Sequence, residues 1–227
     1  MGIGHVAVGL GLKAADRRLN AGVLIFGAFL ADFLLGWFVL AGWESYQYPP
    51  DFASRHYMLF TFPWSHGLVP DLVWAAALGS LVWVFRREPR AAVLVGIAVV
   101  SHFVLDGVVH VRGLPIAGPG SPELGLGLWR NLPIELTLEA LMTVAALVLY
   151  LRAAQDHSRG RRISMVVYVV LLGALAIGGQ ATATEQVGRS GLIANWIAAP
   201  LVFAAIAWAL DRQRSDSIKS SSSTASV

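Results

Sequence analysis

Three residues in the segment VVSHFVLDGVVH set the chemistry to be explained: His102, Asp106 and His110 fall at i, i+4 and i+8. On a helix this spacing forms one stripe, because residues four apart lie one above the other. A His-x-x-x-Asp pair on one face can present imidazole nitrogen and carboxylate oxygen to a single metal ion. Glu135 and Glu139, in LPIELTLEALM, repeat the i, i+4 spacing with two carboxylates. Further ionisable residues stand inside apolar runs: Asp32 in LIFGAFLADFLLGWFVL, and His66 and Asp71 in WSHGLVPDLVW. The chain has no cysteine, so any metal must be held by imidazole and carboxylate.

The elements that must position these residues are membrane spans. Hydrophobic residues make up 56% of the 227-residue chain and charged residues only 14%, against about 25% charge in a typical soluble domain. Six apolar runs, about 21–42, 66–85, 91–111, 132–151, 163–181 and 191–210, are long enough to cross a bilayer as helices. The expected fold is therefore an all-α polytopic transmembrane bundle, one domain over 1–214. A polar, low-complexity tail at 215–227 is expected to be disordered. The first apolar stretch, Ile3 to Leu12, is too short to span, and its basic residues follow it, unlike those of a signal peptide. It is expected to enter the bundle as a half-inserted helix over residues 2–14 and bring His5 close to Asp32.

Basic residues alternate between connections. Lys13, Arg17 and Arg18 precede the first span, and Arg86, Arg87 and Arg90 follow the second. Arg152, Arg159, Arg161 and Arg162 follow the fourth, and Arg212, Arg214 and Lys219 follow the sixth. The other connections hold fewer, offset by acidic residues. This pattern predicts cytoplasmic N- and C-termini, and it reports topology rather than nucleic-acid binding. The aromatic connection 43–65 belongs at the outer interface, and the Gly- and Pro-rich connection 112–131 should be irregular. His157 lies in a basic loop and is expected to be a bystander.

Depth collects the polar residues. At ~1.5 Å per residue from the cytoplasmic end, Asp32, His102, Glu139 and a half-inserted His5 each stand ~18 Å up. Asp106 and Asp71 stand slightly higher, at ~21–24 Å, and His66 near the outer mouth. An intramembrane ionisable residue costs roughly 2.5–3.5 kcal/mol on insertion scales, so such groups normally face the bundle interior and carry function. His110 and Glu135, near helix ends, are expected to be interfacial. Clustered carboxylates repel one another unless protons, cations or histidines neutralise them.

Four short motifs, GHVAVG, FLADF, WSHGL and SHFVLDGV, together cover roughly the first half of the chain. The set resembles the membrane-bound, metal-dependent hydrolases typified by YdjM-like inner-membrane proteins of bacteria. The resemblance implies metal-ligand or catalytic roles for His5, Asp32, His66, His102 and Asp106. One departure is that the family's Ser-His is usually preceded closely by His-Arg, whereas the nearest equivalent here is Arg55-His56, ten residues before His66.

The resulting expectation is a hydrolase acting on a lipid or lipid-linked substrate, with one or two divalent ions, zinc foremost. Such a metal polarises the scissile bond and lowers the pKa of a water toward about 7. Glu139 or Asp71 would serve as general base. Arg112 and Arg130, near the outer interface, would hold a phosphate head group. A transporter or ion-conducting protein using the same cluster is the alternative, since midplane carboxylates and histidines also build proton relays and cation sites. A non-catalytic membrane partner that binds another subunit through these residues is a third reading.

Overall fold

The computed structural model describes residues 2–212, and the expected disorder of 215–227 lies outside them. The described chain is mostly helical, with almost no sheet. Its helices are α1 (Gly2–Ala15), α2 (Ala21–Ala28), α3 (Leu30–Ala41), α4 (Phe52–Arg55), α5 (Leu68–Arg86), α6 (Pro89–Val109), α7 (Leu132–Ala153), α8 (Arg159–Thr182) and α9 (Arg189–Asp211). The five from α5 to α9 except the loops between them are each long and apolar enough to cross a membrane. Helices α2 and α3 make a sixth span only as a pair, bent by 48°.

Local sequence explains the boundaries. The Asn20 side chain accepts from the Gly22 N–H at 2.8 Å and caps α2. Pro89 opens α6, where its missing N–H costs nothing. Asn131 and Ser158 cap α7 and α8 through their side chains. Apolar side chains face outward along the long helices: Val73 is 57% exposed, Val104 58%, Val144 62% and Leu175 74%. Such an outer surface suits hydrocarbon and not water.

The N-terminal helix α1 is embedded rather than peripheral. Ile3, Val6, Ala7 and Leu10 are buried with Ile25 and Phe29 of the bent span and with Ala146 and Tyr150 of α7. Close approach of α1 and α2 requires Gly9, because a Cβ there would lie 2.5 Å from the Ile25 side chain. The half-inserted helix expected for residues 2–14 is thus present.

Two connections carry short strands on which the sequence reading is silent. The connection 43–65 contains an antiparallel pair, β1 (Ser45–Gln47) with β2 (Leu59–Thr61), around α4. The connection 112–131 is mostly irregular, pinned by β3 (Leu114–Pro115) against β4 (Glu123–Leu124) and a 3₁₀ turn at Leu128–Arg130. Both segments are too short in apolar sequence to announce strands. The alternating basic connections make topology testable: reporter fusions after Gly160 should read cytoplasmic and fusions after Gly188 external. The opposite pattern would invert the assigned orientation.

Candidate metal centre

Helix α6 carries His102 and Asp106 one turn apart, His110 follows as its C-cap, and all three residues are buried. Asp106 is the hub. Its Oδ2 lies 3.4 Å from His102 Nε2, 3.8 Å from His66 Nε2 and 3.1 Å from His110 Nε2. Its Oδ1 lies 3.4 Å from His5 Nε2. The His5 ring stacks on His102, with centroids 4.0 Å apart and planes within 2°. Asp32, in the first turn of α3, places Oδ1 3.6 Å from His66 Nε2. The five residues singled out as metal-ligand candidates therefore converge from four separate parts of the chain. Donor atoms within 4.8 Å of one another form two overlapping groups, His66–His102–Asp106 and His5–Asp32–His102.

The surrounding hydrogen bonds orient the imidazoles. His102 Nδ1 lies 2.7 Å from the carbonyl of Ala28, at the bend between α2 and α3. A side chain inserted at the backbone ladder is one cause of such a kink. A carbonyl can only accept, so Nδ1 carries a proton, and in the neutral ring Nε2 presents a lone pair to the cluster. His66 is fixed in the same sense. Glu44 Oε2 accepts from Ser65 Oγ at 2.6 Å, and the Ser65 oxygen lies 2.7 Å from His66 Nδ1. With its own proton committed to Glu44, Ser65 Oγ accepts from Nδ1, and Nε2 is again the free lone pair. Glu44 is held by the backbone N–H groups of Trp64 and Ser65, both at 2.8 Å from Oε1. This carboxylate–serine–histidine chain is the kind of outer support that metal-bound histidines use.

His66 Nε2 and His102 Nε2 are 3.1 Å apart. Two lone pairs at that distance, beside a carboxylate, repel unless a cation or proton lies between them. Donor atoms on a tetrahedral zinc, at ~2.0–2.1 Å each, are ~3.3 Å apart. The observed separations of 3.1, 3.4 and 3.8 Å are close to that requirement. Buried His5 Nδ1 has no hydrogen-bond partner among the described residues.

A cavity of about 220 Å³ reaches these groups and is lined by His5, Asp32, His66, Asp106 and His110, with an aromatic share from Tyr57, Phe60, Trp129 and Trp196. Its lining also includes His56, whose Nδ1 lies 2.8 Å from the Ala183 carbonyl. The lining thus draws on the connections 43–65 and 112–131.

The remaining sequence-predicted residues lie elsewhere. Asp71 is fully buried; its Oδ2 accepts from the Phe103 N–H at 3.2 Å, and its Oδ1 has no hydrogen-bond partner among the described residues. Glu139 is buried on α7, and neither it nor Asp71 lines the cavity. Arg112 is exposed and donates to the Glu123 carbonyl at 3.4 Å. Arg130 is exposed at the end of the 3₁₀ turn, and neither arginine is part of the lining.

Three expectations are corrected. His110 is not interfacial: it is 6% exposed and joins the cluster, as the i+8 position on the stripe would have suggested. Glu135 is fully buried rather than solvated, and Gln180 Nε2 donates to its Oε2 at 3.3 Å. His157 is no bystander, because its buried side chain places Nε2 3.2 Å from Asp211 Oδ1. Glu44 and Ser65 carried different signals. Ser65 stands in the Ser-His dipeptide, whereas nothing local marks Glu44, twenty-one residues earlier in sequence. No family model matches this chain, and no curated protein and no solved structure matches it either.

Proposed function

We propose that this chain is a membrane-embedded, metal-dependent hydrolase. One observation carries the reading: two histidines whose Nδ1 atoms are already committed turn their Nε2 atoms toward each other, 3.1 Å apart, beside Asp106. His66, His102 and Asp106 would hold the ion, with His5 and Asp32 completing the set or holding a second one. A bound divalent ion supplies a Lewis acid that polarises the scissile bond and acidifies water, and zinc suits a nitrogen- and oxygen-donor set of this kind.

The chain's own residues account for the rest. Asp106 keeps four imidazoles in fixed orientation around one carboxylate. His110 lines the cavity yet belongs to neither ligand group, so it is the proposed proton acceptor and donor. Asp71 and Glu139, the bases expected from sequence, do not line the cavity, and the role passes to His110 on that ground. The aromatic lining excludes bulk water from a site of modest volume.

The test is elemental analysis of the detergent-purified protein together with ester and phosphoester hydrolysis assays. Stoichiometric divalent metal is expected, with hydrolysis lost on chelation and regained on metal return. Protein without divalent metal and without hydrolysis, but with proton or cation flux in liposomes, would put the transporter reading in its place.

A further inference from the structure

The cluster has a second approach that its aromatic cavity does not explain. A groove of about 420 Å³ runs between α8 and α9, with walls from Leu172, Leu175 and Ala176 on one side and Ala199 and Phe203 on the other. Its floor is α1 and the bent span, through Ile3, Val6 and Phe29. The groove and the 220 Å³ cavity share two lining residues, Gly2 and Asp32. Asp32 is also the residue whose carboxylate lies 3.6 Å from His66 Nε2. The apolar groove therefore ends at the ligand cluster.

Position says what covers it. Residues 172–176 and 195–203 fall in the interiors of α8 and α9, helices long and apolar enough to span. At that level the surrounding medium is hydrocarbon. Asn195 nevertheless lines the groove from an exposed position, and its side-chain amide makes no hydrogen bond among the described residues. An unpaired amide facing lipid tails is costly. Pro200 lines the groove too, and it removes a backbone donor from the α9 ladder one turn along. A second apolar groove, between α5 and α6, is larger at about 680 Å³, but its lining carries no ionisable side chain and none of the cluster residues.

We infer that the α8–α9 groove is a lateral entrance from the bilayer that holds one acyl chain of a glycerophospholipid substrate, with the head-group linkage reaching the ligand cluster past Asp32. The inference rests on the hydrolase reading for what happens at the cluster, and on the groove alone for what binds. The lipid's ester and phosphate oxygens satisfy the Asn195 amide, which hydrocarbon cannot. The volume lies at the low end of the ~300–1,000 Å³ found for small-molecule sites, which suits a single acyl chain rather than a long polyisoprenoid.

Photolabelling tests this. The detergent-purified full chain is mixed with phosphatidylethanolamine bearing a diazirine on one acyl chain, at low lipid-to-protein ratio, irradiated, and mapped by peptide mass spectrometry. Label at residues 172–176 and 195–203 should exceed label in the α5–α6 groove several-fold. Ala199→Trp, and Ala176→Phe on the opposite wall should either variant fail to fold, should remove that excess. His102→Ala should keep it, because the groove does not need the metal. Equal labelling of the two grooves, unchanged labelling in a folded groove-filling variant, or preferential labelling by a diazirine polyprenyl phosphate would overturn the inference. Wild type that labels the groove but, as purified, carries no divalent metal and hydrolyses no ester would count against the hydrolase reading and leave the groove inference standing.

Discussion

His102→Ala and Asp106→Ala each abolish divalent-metal binding, while the protein stays inserted and monodisperse in detergent; elemental analysis after size-exclusion chromatography is the measurement. The expected loss is complete because each substitution removes a donor from the group His66–His102–Asp106, and His102 also belongs to the second group. Asp106 has a further role as the carboxylate that faces His5, His66, His102 and His110. Removing it leaves the clustered imidazoles with Asp32 as the remaining carboxylate of the two ligand groups, too few anionic donors to retain the ion. A graded effect should appear one step out. Ser65→Ala breaks the link between Glu44 and His66 Nδ1 without touching a donor atom, and it should weaken metal affinity roughly 10–100-fold, the range for lost outer-shell partners. If His102→Ala and Asp106→Ala keep wild-type metal content, the ion is held elsewhere and the assignment fails.

The second large effect lies at the other end of the bundle. Asp211, at the end of α9, is 2% exposed and takes four partners. Its Oδ2 lies 3.1 Å from Lys13 Nζ and accepts from the Ala21 N–H at 2.7 Å. Its Oδ1 accepts from Tyr150 Oη at 3.0 Å and lies 3.2 Å from His157 Nε2. Lys13 itself is 2% exposed and also donates to the Arg17 and Leu19 carbonyls at 2.7 and 2.6 Å. Asp211→Ala strands a buried ammonium without its countercharge, which typically costs about 3–5 kcal/mol. Thermal unfolding followed by tryptophan fluorescence should show a fall in Tm on the order of 10 °C. The double variant Lys13→Met/Asp211→Leu should recover most of the loss, since replacing a whole buried pair by apolar residues is often neutral. His157→Ala removes one partner of four and should cost less than Asp211→Ala. An Asp211→Ala protein that melts with the wild type would show that water reaches this network and screens it.

Much of the site was legible from local sequence. The i, i+4, i+8 stripe on α6 needs only helical periodicity, and burial of its polar members follows from the apolar run around them. Depth along each span placed His5, Asp32 and His102 at one level, because rise per residue is nearly constant in any helix. The embedded N-terminal helix followed from an apolar stretch too short to cross.

Other decisions belong to the tertiary structure. The bend at Phe29 has no proline to announce it; it becomes intelligible only when His102 arrives from seventy-four residues away to meet the Ala28 carbonyl. Glu44 looked like one acid in an aromatic connection until the fold brought its carboxylate to Ser65. Lys13 read as a cytoplasmic anchor and His157 as a loop residue, yet both side chains are buried around Asp211. Hydropathy and spacing determined which residues lie in helices, at what depth, and on which face, because those properties depend on neighbours within a few turns. Which side chains meet was decided by how the helices cross and pack. Partners such as Ala21 and Asp211, separated by 190 residues, have no local pattern that could join them before the bundle closes.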